Sequence, residues 1–441
     1  MKTAVAIIVC IVLSIAAEPV LFIDTIYVTH DAIKKELLLS RIDIHTNDTL
    51  QPNKFEERLS SVDQISRYKI TIDTIGENRV ALTLDYSLSP SFEITEMGGS
   101  LITMKHGEPL SFPHPVVVVG AAHTNLGRTM QTLELELQGI VQPAAQLSWT
   151  VPLKARSSLT LSAQTGSFFS LLKPRNLELF FTNRVHFQHR ITPSLHLGGG
   201  VQHGYYQYRE IREDSHTRFH EVYPFVSCNL VRGERKKNPQ RAFRLSGEIG
   251  TNILRYYTDT AGEYANMYVN ADATLYTPLP SSRRNTLINH ISLRSTPLGK
   301  RNPFQQYYLG SSSTLRGFSM GYLGQNFQAQ NQGIYGTEYR VPLLKEKTLA
   351  FPRLGRFYEP FTELPLSIDG GIFLMAGYLW EKFSRPGEEN NCEYGVSTGV
   401  GLRIFTRKLN LFGSTDIAFP LAASRTVKHT PILHIYMGLP F

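Results

Sequence analysis

Four short stretches hold residue types whose spacing could do chemistry. "GVSTG" at 395–399 has the G-x-S-x-G spacing of a serine nucleophile elbow. Acyl transfer at such a serine needs a strand, a sharp turn and then a helix. Here Val396, Thr398, Val400, Leu402 and Ile404 continue one strand face straight through the motif. "HFQHR" puts His186 and His189 three residues apart, on opposite faces of a strand, where they cannot close on one metal. "GGGVQHG" at 198–204 lacks the lysine and the following helix of a phosphate loop. No HExxH and no cysteine–histidine zinc spacing occurs. No catalytic residue, cofactor or metal is therefore expected. The fourth stretch is "LGSSSTLRGFSMGYLG", Leu309–Gly324, with four glycines, four serines, a threonine and one basic residue, Arg316. The chemistry open to it is ion pairing, because a guanidinium grips a carboxylate through two parallel N–H bonds.

The elements that position Arg316 follow from composition and pattern. Across 441 residues, Tyr 21 and Phe 24 outnumber Trp 2, and Gly reaches 33, a mix that favours strands and turns. The formal charge of +8 is spread thinly, with one cluster, "RGERKKNPQR" at 232–241. No basic helix or aromatic platform accompanies it, so it reads as a polar hairpin end and no nucleic-acid partner is expected. The start, "MKTAVAIIVCIVLSIAA", has a lysine, an apolar run from Ala4 to Leu13 and the small residues of a cleavage site. Residues 1–17 are expected to be a secretory signal peptide, and Cys10 leaves with them. Cys228 and Cys392 then remain, as a bridge or as two free thiols. No later stretch supplies the roughly 20 apolar residues of a helical span, so membrane residence would require a barrel.

Residues 18–90 differ from the rest. "FIDTIYVTH" reads as a strand, and "DAIKKELLLS" as a helix capped by Asp31, with Ile33, Leu37 and Leu38 on one face. "QPNKFEERLSSV" spaces Phe55, Leu59 and Val62 as a second helix. A hairpin follows, turning at "GEN", with Tyr68, Ile70 and Ile72 on one arm and Val80, Leu82 and Leu84 on the other. The order β-α-α-β-β makes one small α+β module.

From residue 91 to 441 the period becomes two. "QTLELELQG" sets Leu133, Leu135 and Leu137 against Glu134, Glu136 and Gln138. "YVNADATLY" sets Val269, Ala271, Ala273 and Leu275 against Tyr268, Asn270, Asp272, Thr274 and Tyr276. One side is apolar and the other carries charge, as in a barrel with a wet lumen, and many segments end in aromatics. Counting gives sixteen strands, near 93–104, 115–124, 130–139, 144–152, 157–166, 177–188, 194–207, 218–231, 241–256, 264–278, 286–297, 332–344, 364–379, 393–406, 408–420 and 431–440. The fold class expected is mainly β: a sixteen-stranded antiparallel transmembrane barrel behind one N-terminal α+β domain. The longest gap, about 298–331, contains Arg316.

Four motifs then resemble the BamA-like outer-membrane assembly and translocation superfamily, of the bacterial surface antigen type. "TLRGF" at 314–318 is similar to its V/I-R-G-Y/F loop signature, with Leu315 in the aliphatic place. "YGTEYRVPLL" at 335–344 resembles the strand after that loop. "LSIDGGIF" at 366–373 resembles the F-x-D-x-G strand, keeping Asp369 and Gly371 but with Ser367 for the Phe. "STGVGLRIF" at 397–405 and "DIAFPL" at 416–421 resemble the penultimate strands. The front module resembles a periplasmic POTRA domain, and Tyr436 and Phe441 on the terminal aromatic strand resemble the barrel recognition signal.

The resemblance implies a loop folded back into the lumen, carrying Leu315, Arg316, Gly317 and Phe318. Its arginine would meet Asp369 beside Gly371. Period two independently points Asp369, Glu338 and Arg403 inward. An Arg316–Asp369 ion pair is expected, with Gly317 and Gly321 free to turn at positive φ. The implied role is assistance to insertion, assembly or translocation of polypeptides in the outer membrane of a two-membraned bacterium. The implied partners are membrane lipids, unfolded outer-membrane or secreted polypeptides and periplasmic accessory proteins. A dedicated two-partner-type transporter and a passive or gated pore are the alternatives.

Overall fold

A computed structural model describes residues 21–29, 33–42, 44–50, 59, 65–88, 92–105, 116–126, 129–140, 143–154, 156–168, 175–192, 194–210, 215–233, 239–256, 263–279, 282–299, 307–310, 314–318, 322–324, 329–350, 353, 362–381, 391–406, 411–425 and 429–437. The expected signal peptide lies outside the described residues, as do Asp31, Phe55, Val62, Gly321 and Phe441. The chain divides into two compact units. One takes in the chain up to Ser91 with Thr124–Gln131 and Pro152–Ser157, and the other takes in the remainder.

The first unit contains β1 (Phe22–Val28), α1 (Lys35–Ile42), β2 (Ile65–Gly76) and β3 (Arg79–Leu88). Its sheet runs β1-β3-β2, with β3 parallel to β1 and antiparallel to β2. Period two in "RVALTLDYSL" buries Val80, Leu82, Leu84 and Tyr86. The helix sets Leu38 and Ile42 four residues apart, so both reach the same core. Ile23, Ile26, Ile33, Ile44, Leu59 and Met130 complete that core. The Tyr86 hydroxyl accepts a bond from Ile33 N at 3.0 Å, tying the chain before α1 to the central strand. Ile72 faces the same side but is 41% exposed, because β2 is a sheet edge.

The second unit is a sixteen-stranded antiparallel sheet. Its strands are β4 (Phe92–Lys105), β5 (Val116–Leu126), β6 (Gln131–Ile140), β7 (Ala144–Lys154), β8 (Ser157–Phe168), β9 (Arg175–Arg190), β10 (Leu195–Glu210), β11 (Ser215–Gly233), β12 (Ala242–Tyr256), β13 (Glu263–Leu279), β14 (Ser282–Gly299), β15 (Asn331–Leu349), β16 (Leu364–Trp380), β17 (Cys392–Thr406), β18 (Leu411–Ala423) and β19 (Ile432–Met437). Strands consecutive in the chain are neighbours, and β19 pairs with β4, so the order returns on itself. The number of strands and their positions agree with the period-two reading. Among the described residues no helix is long and apolar enough to cross a membrane.

Apolar side chains face outward. Leu133, Leu135 and Leu137 are exposed on β6, Ile372, Leu374 and Tyr378 on β16, Val400, Leu402 and Ile404 on β17, and Ile417, Phe419 and Leu421 on β18. The alternate positions are half-buried on β6 and largely buried on β16, β17 and β18, among them Phe373, Ser397, Arg403 and Asp416. An apolar outer face around a polar interior inverts the arrangement of a water-soluble sheet and matches a sheet solvated by lipid. Pro342, which cannot donate to a ladder, sits where the β15–β16 register slips.

The motifs set aside on sequence take their places here. Gly395–Gly399 lies inside the continuous strand β17. The glycines at 198–200 lie in β10, where a Cβ on Gly198 would come within 2.6 Å of His186 Nε2 and one on Gly200 within 1.9 Å of Val185 O. That run makes room for the His186 ring and for the backbone of the adjacent strands. His186 itself bonds Ser227 Oγ at 3.0 Å. Cys228 and Cys392 are both free thiols. Among the described residues no group of three or more metal-ligating side chains assembles.

Candidate functional site: an in-folded loop on a buried charge cluster

The site begins with register. One row across the sheet reads Arg340, Gly371, Gly401, Asp416 and His434, each opposite the next on strands β15 to β19. The row beside it reads Glu338, Phe373, Gly399, Ala418 and Ile432. Both face inward, so the three glycines leave a hollow bordered by two carboxylates. A Cβ on Gly401 would lie 1.8 Å from Asp416 Oδ1, and one on Gly371 3.0 Å from Glu338 Oε1. The glycines of "DGGIF" and "STGVGLRIF" therefore clear space for charged side chains.

Three guanidinium groups fill the hollow. Glu338 Oε1 accepts from Arg340 Nε at 2.5 Å and from Arg403 Nε at 3.0 Å. Its Oε2 accepts from Arg403 Nη2 at 2.9 Å. Arg403 Nη1 reaches Asp416 Oδ1 at 2.5 Å. Arg316 enters from the loop, with Nη1 2.9 Å from Asp416 Oδ2 and Nη2 3.3 Å from Glu338 Oε2. The side chains of Arg316, Arg403, Glu338 and Asp416 are fully shielded, and Arg340 is 4% exposed. The Arg316 guanidinium also lies 3.7 Å from the Phe373 ring centroid, and its Nε meets Met375 Sδ at 3.1 Å. Buried charges persist only when paired and hydrogen-bonded, and each member of this cluster has a partner of opposite sign.

The described residues of the loop that delivers Arg316 pack against the inner wall. Leu309 and Leu323 exchange backbone bonds at 3.2 and 3.1 Å, closing its neck. Leu309, Leu315, Phe318 and Leu323 pack on Phe373, Met375 and Leu379 of β16 and on Ala418 of β18. Gly317 holds φ at 90°, and a Cβ there would lie 2.9 Å from Ser397 Cβ, so only glycine fits. Its N–H donates to His434 Nε2 at 3.2 Å. An accepting Nε2 leaves the ring proton on Nδ1.

The expected pair between Arg316 and Asp369 is replaced. The ion pairs of Arg316 run to Glu338 and Asp416. Asp369 is half-buried and stands one row away, opposite Arg403 and Pro342. The row of Gly371 and Gly401, which holds the hollow, belongs to Asp416. The other expected residues meet in one place: Leu315, Arg316, Gly317 and Phe318 on the loop, with Glu338, Gly371 and Arg403 around it. Tyr436 lies in β19 opposite Ser100 of β4 and Ser414 of β18.

This arrangement can be compared with known proteins. Residues 144–441 match the Omp85 superfamily domain. The chain belongs to the Omp85 superfamily. Its fold is similar to that of BamA from Haemophilus ducreyi lacking POTRA domains 1–3, at 13% identity and a TM-score of 0.60, over 95% of this chain and 84% of that one. CdiB from Acinetobacter baumannii is similar at 12% identity and a TM-score of 0.62, over 95% and 74%. CdiB from Escherichia coli is similar at 12% identity and a TM-score of 0.61, over 95% and 76%. At such identities the likeness is one of fold. No curated protein matches the chain by sequence.

In this Omp85-superfamily chain, Asp416, Arg340 and His434 are the site residues that sequence reasoning missed. Inward parity was available for Asp416, since Ile417, Phe419 and Leu421 face out. The cluster also fixes what Arg316 contributes. Without it, Asp416 keeps Arg403 and Glu338 keeps Arg403 and Arg340, so no carboxylate is stranded. Arg316→Ala should therefore free the loop at a cost of about 2–3 kcal/mol in barrel stability, the range of hydrogen bonds to charged groups. Single-channel recordings should show larger, noisier openings than wild type, with the sixteen strands retained.

Proposed function

We propose that this chain is an outer-membrane β-barrel that assists the insertion, assembly or translocation of other polypeptides, with the 309–324 loop as its lumen plug. The observation that carries the reading is the loop itself. A small-residue segment places one arginine inside the barrel on a shielded cluster contributed by three strands, with Leu309, Leu315, Phe318 and Leu323 packed beside it. Such a hold gives a plug a defined closed position. The outward apolar face supports residence in a lipid bilayer.

The front unit is read as a single POTRA-like domain on the periplasmic side. Its β1-β3-β2 order leaves β2 as an edge, and an extended client can add to such an edge through backbone bonds. A second reading is a transporter dedicated to one secreted partner. The likeness to the two CdiB structures, at TM-scores of 0.62 and 0.61, matches that to BamA at 0.60, so fold favours neither.

Depletion of the protein, followed by an inventory of outer-membrane and secreted proteins, tests the reading. General loss of barrels is expected for an assembly factor, and loss of one secreted protein for a dedicated transporter. An unchanged inventory, with no client crosslinked to residues 65–76, would leave only a pore.

A further inference from the structure

The outer face of β9, β10 and β11 changes character along its length. Val185, Val201, Val222 and Val226 are exposed on it. Val201 stands opposite Val185, and His203, two residues on, stands opposite Val222, so His203 shares that face. From Leu230 back to Val222 the outward positions of β11 also hold Cys228, Val226 and Pro224. That stretch matches the roughly 9–11 residues a tilted strand needs to cross hydrocarbon. Past it the outward residues become His220 and then Arg218, which is exposed. On β10 the same level carries Tyr205, opposite His220, and Gln207, opposite Arg218.

These side chains form a connected group. His203 Nε2 and His220 Nδ1 lie 3.1 Å apart, with the rings stacked at 5.3 Å. The Tyr205 ring is 5.0 Å from His220, and its hydroxyl donates to Gln207 Oε1 at 3.3 Å. Two neutral imidazoles that share one hydrogen bond keep a second N–H on the accepting ring. The outward positions from 179 to 189, 197 to 207 and 218 to 230 hold no Asp or Glu. Phe181 and Leu179 of β9 border the group, opposite Tyr205 and Gln207. Hydrocarbon cannot solvate a guanidinium and two imidazoles. The headgroup layer can, because it offers apolar contact to the rings and phosphate oxygens to the N–H groups.

We propose that Arg218, His203 and His220 bind the phosphate of an anionic lipid headgroup on the outer face of β10 and β11. The inference rests on residence of the barrel in a bilayer and not on any handling of clients. The Arg218 fork takes two phosphate oxygens, the imidazole pair adds a donor beside it, and Tyr205 lies at the boundary with the acyl chains. The lipid is selected by its phosphate charge, since the apolar positions below accept any chain.

Native mass spectrometry of the full chain in detergent micelles, titrated with phosphatidylglycerol or with a phosphate-free galactolipid of the same acyl chains, tests this. Wild type is expected to hold phosphatidylglycerol about tenfold more tightly than the galactolipid. Arg218→Ala should lose about tenfold in affinity for phosphatidylglycerol and nothing for the galactolipid, and Arg218→Lys should recover part of the loss. His203→Phe with His220→Phe, which keeps the rings but not their N–H groups, should lose about threefold. Equal retention of the two lipids by wild type overturns the headgroup assignment. Unchanged affinity in Arg218→Ala overturns the location. Full displacement of the lipid by millimolar inorganic phosphate would show a free-anion site and overturn the lipid assignment. If Arg218→Ala does not fold, the paired histidine variant decides alone, and unchanged affinity there overturns the proposal. Failure of wild type to enter lipid nanodiscs would strike down bilayer residence and the proposal with it, whereas an unchanged protein inventory after depletion bears on clients only.

Discussion

Glu338→Gln should destabilise the barrel more than any other charge deletion in the cluster, by about 3–5 kcal/mol, the cost of leaving buried charges unpaired. The substitution keeps volume and shape. It removes the one carboxylate shared by Arg316, Arg340 and Arg403. Each of the three guanidinium groups would lose a carboxylate partner, and the new amide N–H₂ would point at donors. Removing a buried negative charge from beside three guanidinium groups is a step that a low-dielectric site resists. The heat-modifiable folded band of Glu338→Gln should melt at a lower temperature than that of Arg316→Ala. The ranking matters more than either value: if Arg316→Ala melts first, the cluster is held together by the loop rather than by Glu338.

The second large effect needs no charge change. Gly401→Ala adds one methyl group at a point 1.8 Å from Asp416 Oδ1, 2.6 Å from Arg403 Nη1 and 2.6 Å from Thr415 O. Two of those neighbours can rotate only by leaving their ion pairs, and the third is backbone. Overpacking alone costs typically 1–3 kcal/mol, and here the displaced groups are the partners of Arg316 and Glu338. A loss of about 3 kcal/mol or more is expected, with the loop undocked and channel openings like those of Arg316→Ala. Gly139→Ala is the control, because a Cβ there meets nothing within 4 Å. It should lie within about 0.5 kcal/mol of wild type. Equal behaviour of the two alanine variants would mean that the hollow is not occupied as described.

Much of this was legible in the sequence, for a physical reason. Lipid on one side and a polar interior on the other impose a strict period of two, so the strands and their inward residues could be counted from polarity. Glu338, Arg403 and Asp369 were all assigned the correct face. Depth was not legible. Parity tells which face a residue takes, but only register tells which residues share a row, and register is set by turns and bulges such as the slip at Pro342. Asp369 and Asp416 have the same parity, yet Asp416 shares the row of Gly371 and Gly401 while Asp369 sits opposite Arg403. The glycines held the missing signal. An inward glycine means that something else fills its space, and Gly401 stands directly opposite Asp416. Arg340 and His434 could not be found by type, since each is one of many inward polar residues until the row is known.

The central claim is that Arg316 docks the loop by pairing with Asp416. A double-mutant cycle on Arg316→Ala and Asp416→Asn, read as melting of the folded barrel, addresses it most directly. The account expects Asp416→Asn to cost clearly less in the Arg316→Ala background than in wild type, with a coupling of about 1–3 kcal/mol, and expects no such coupling between Arg316→Ala and Asp369→Asn. Additive losses for Arg316 with Asp416, together with coupling to Asp369, would contradict it.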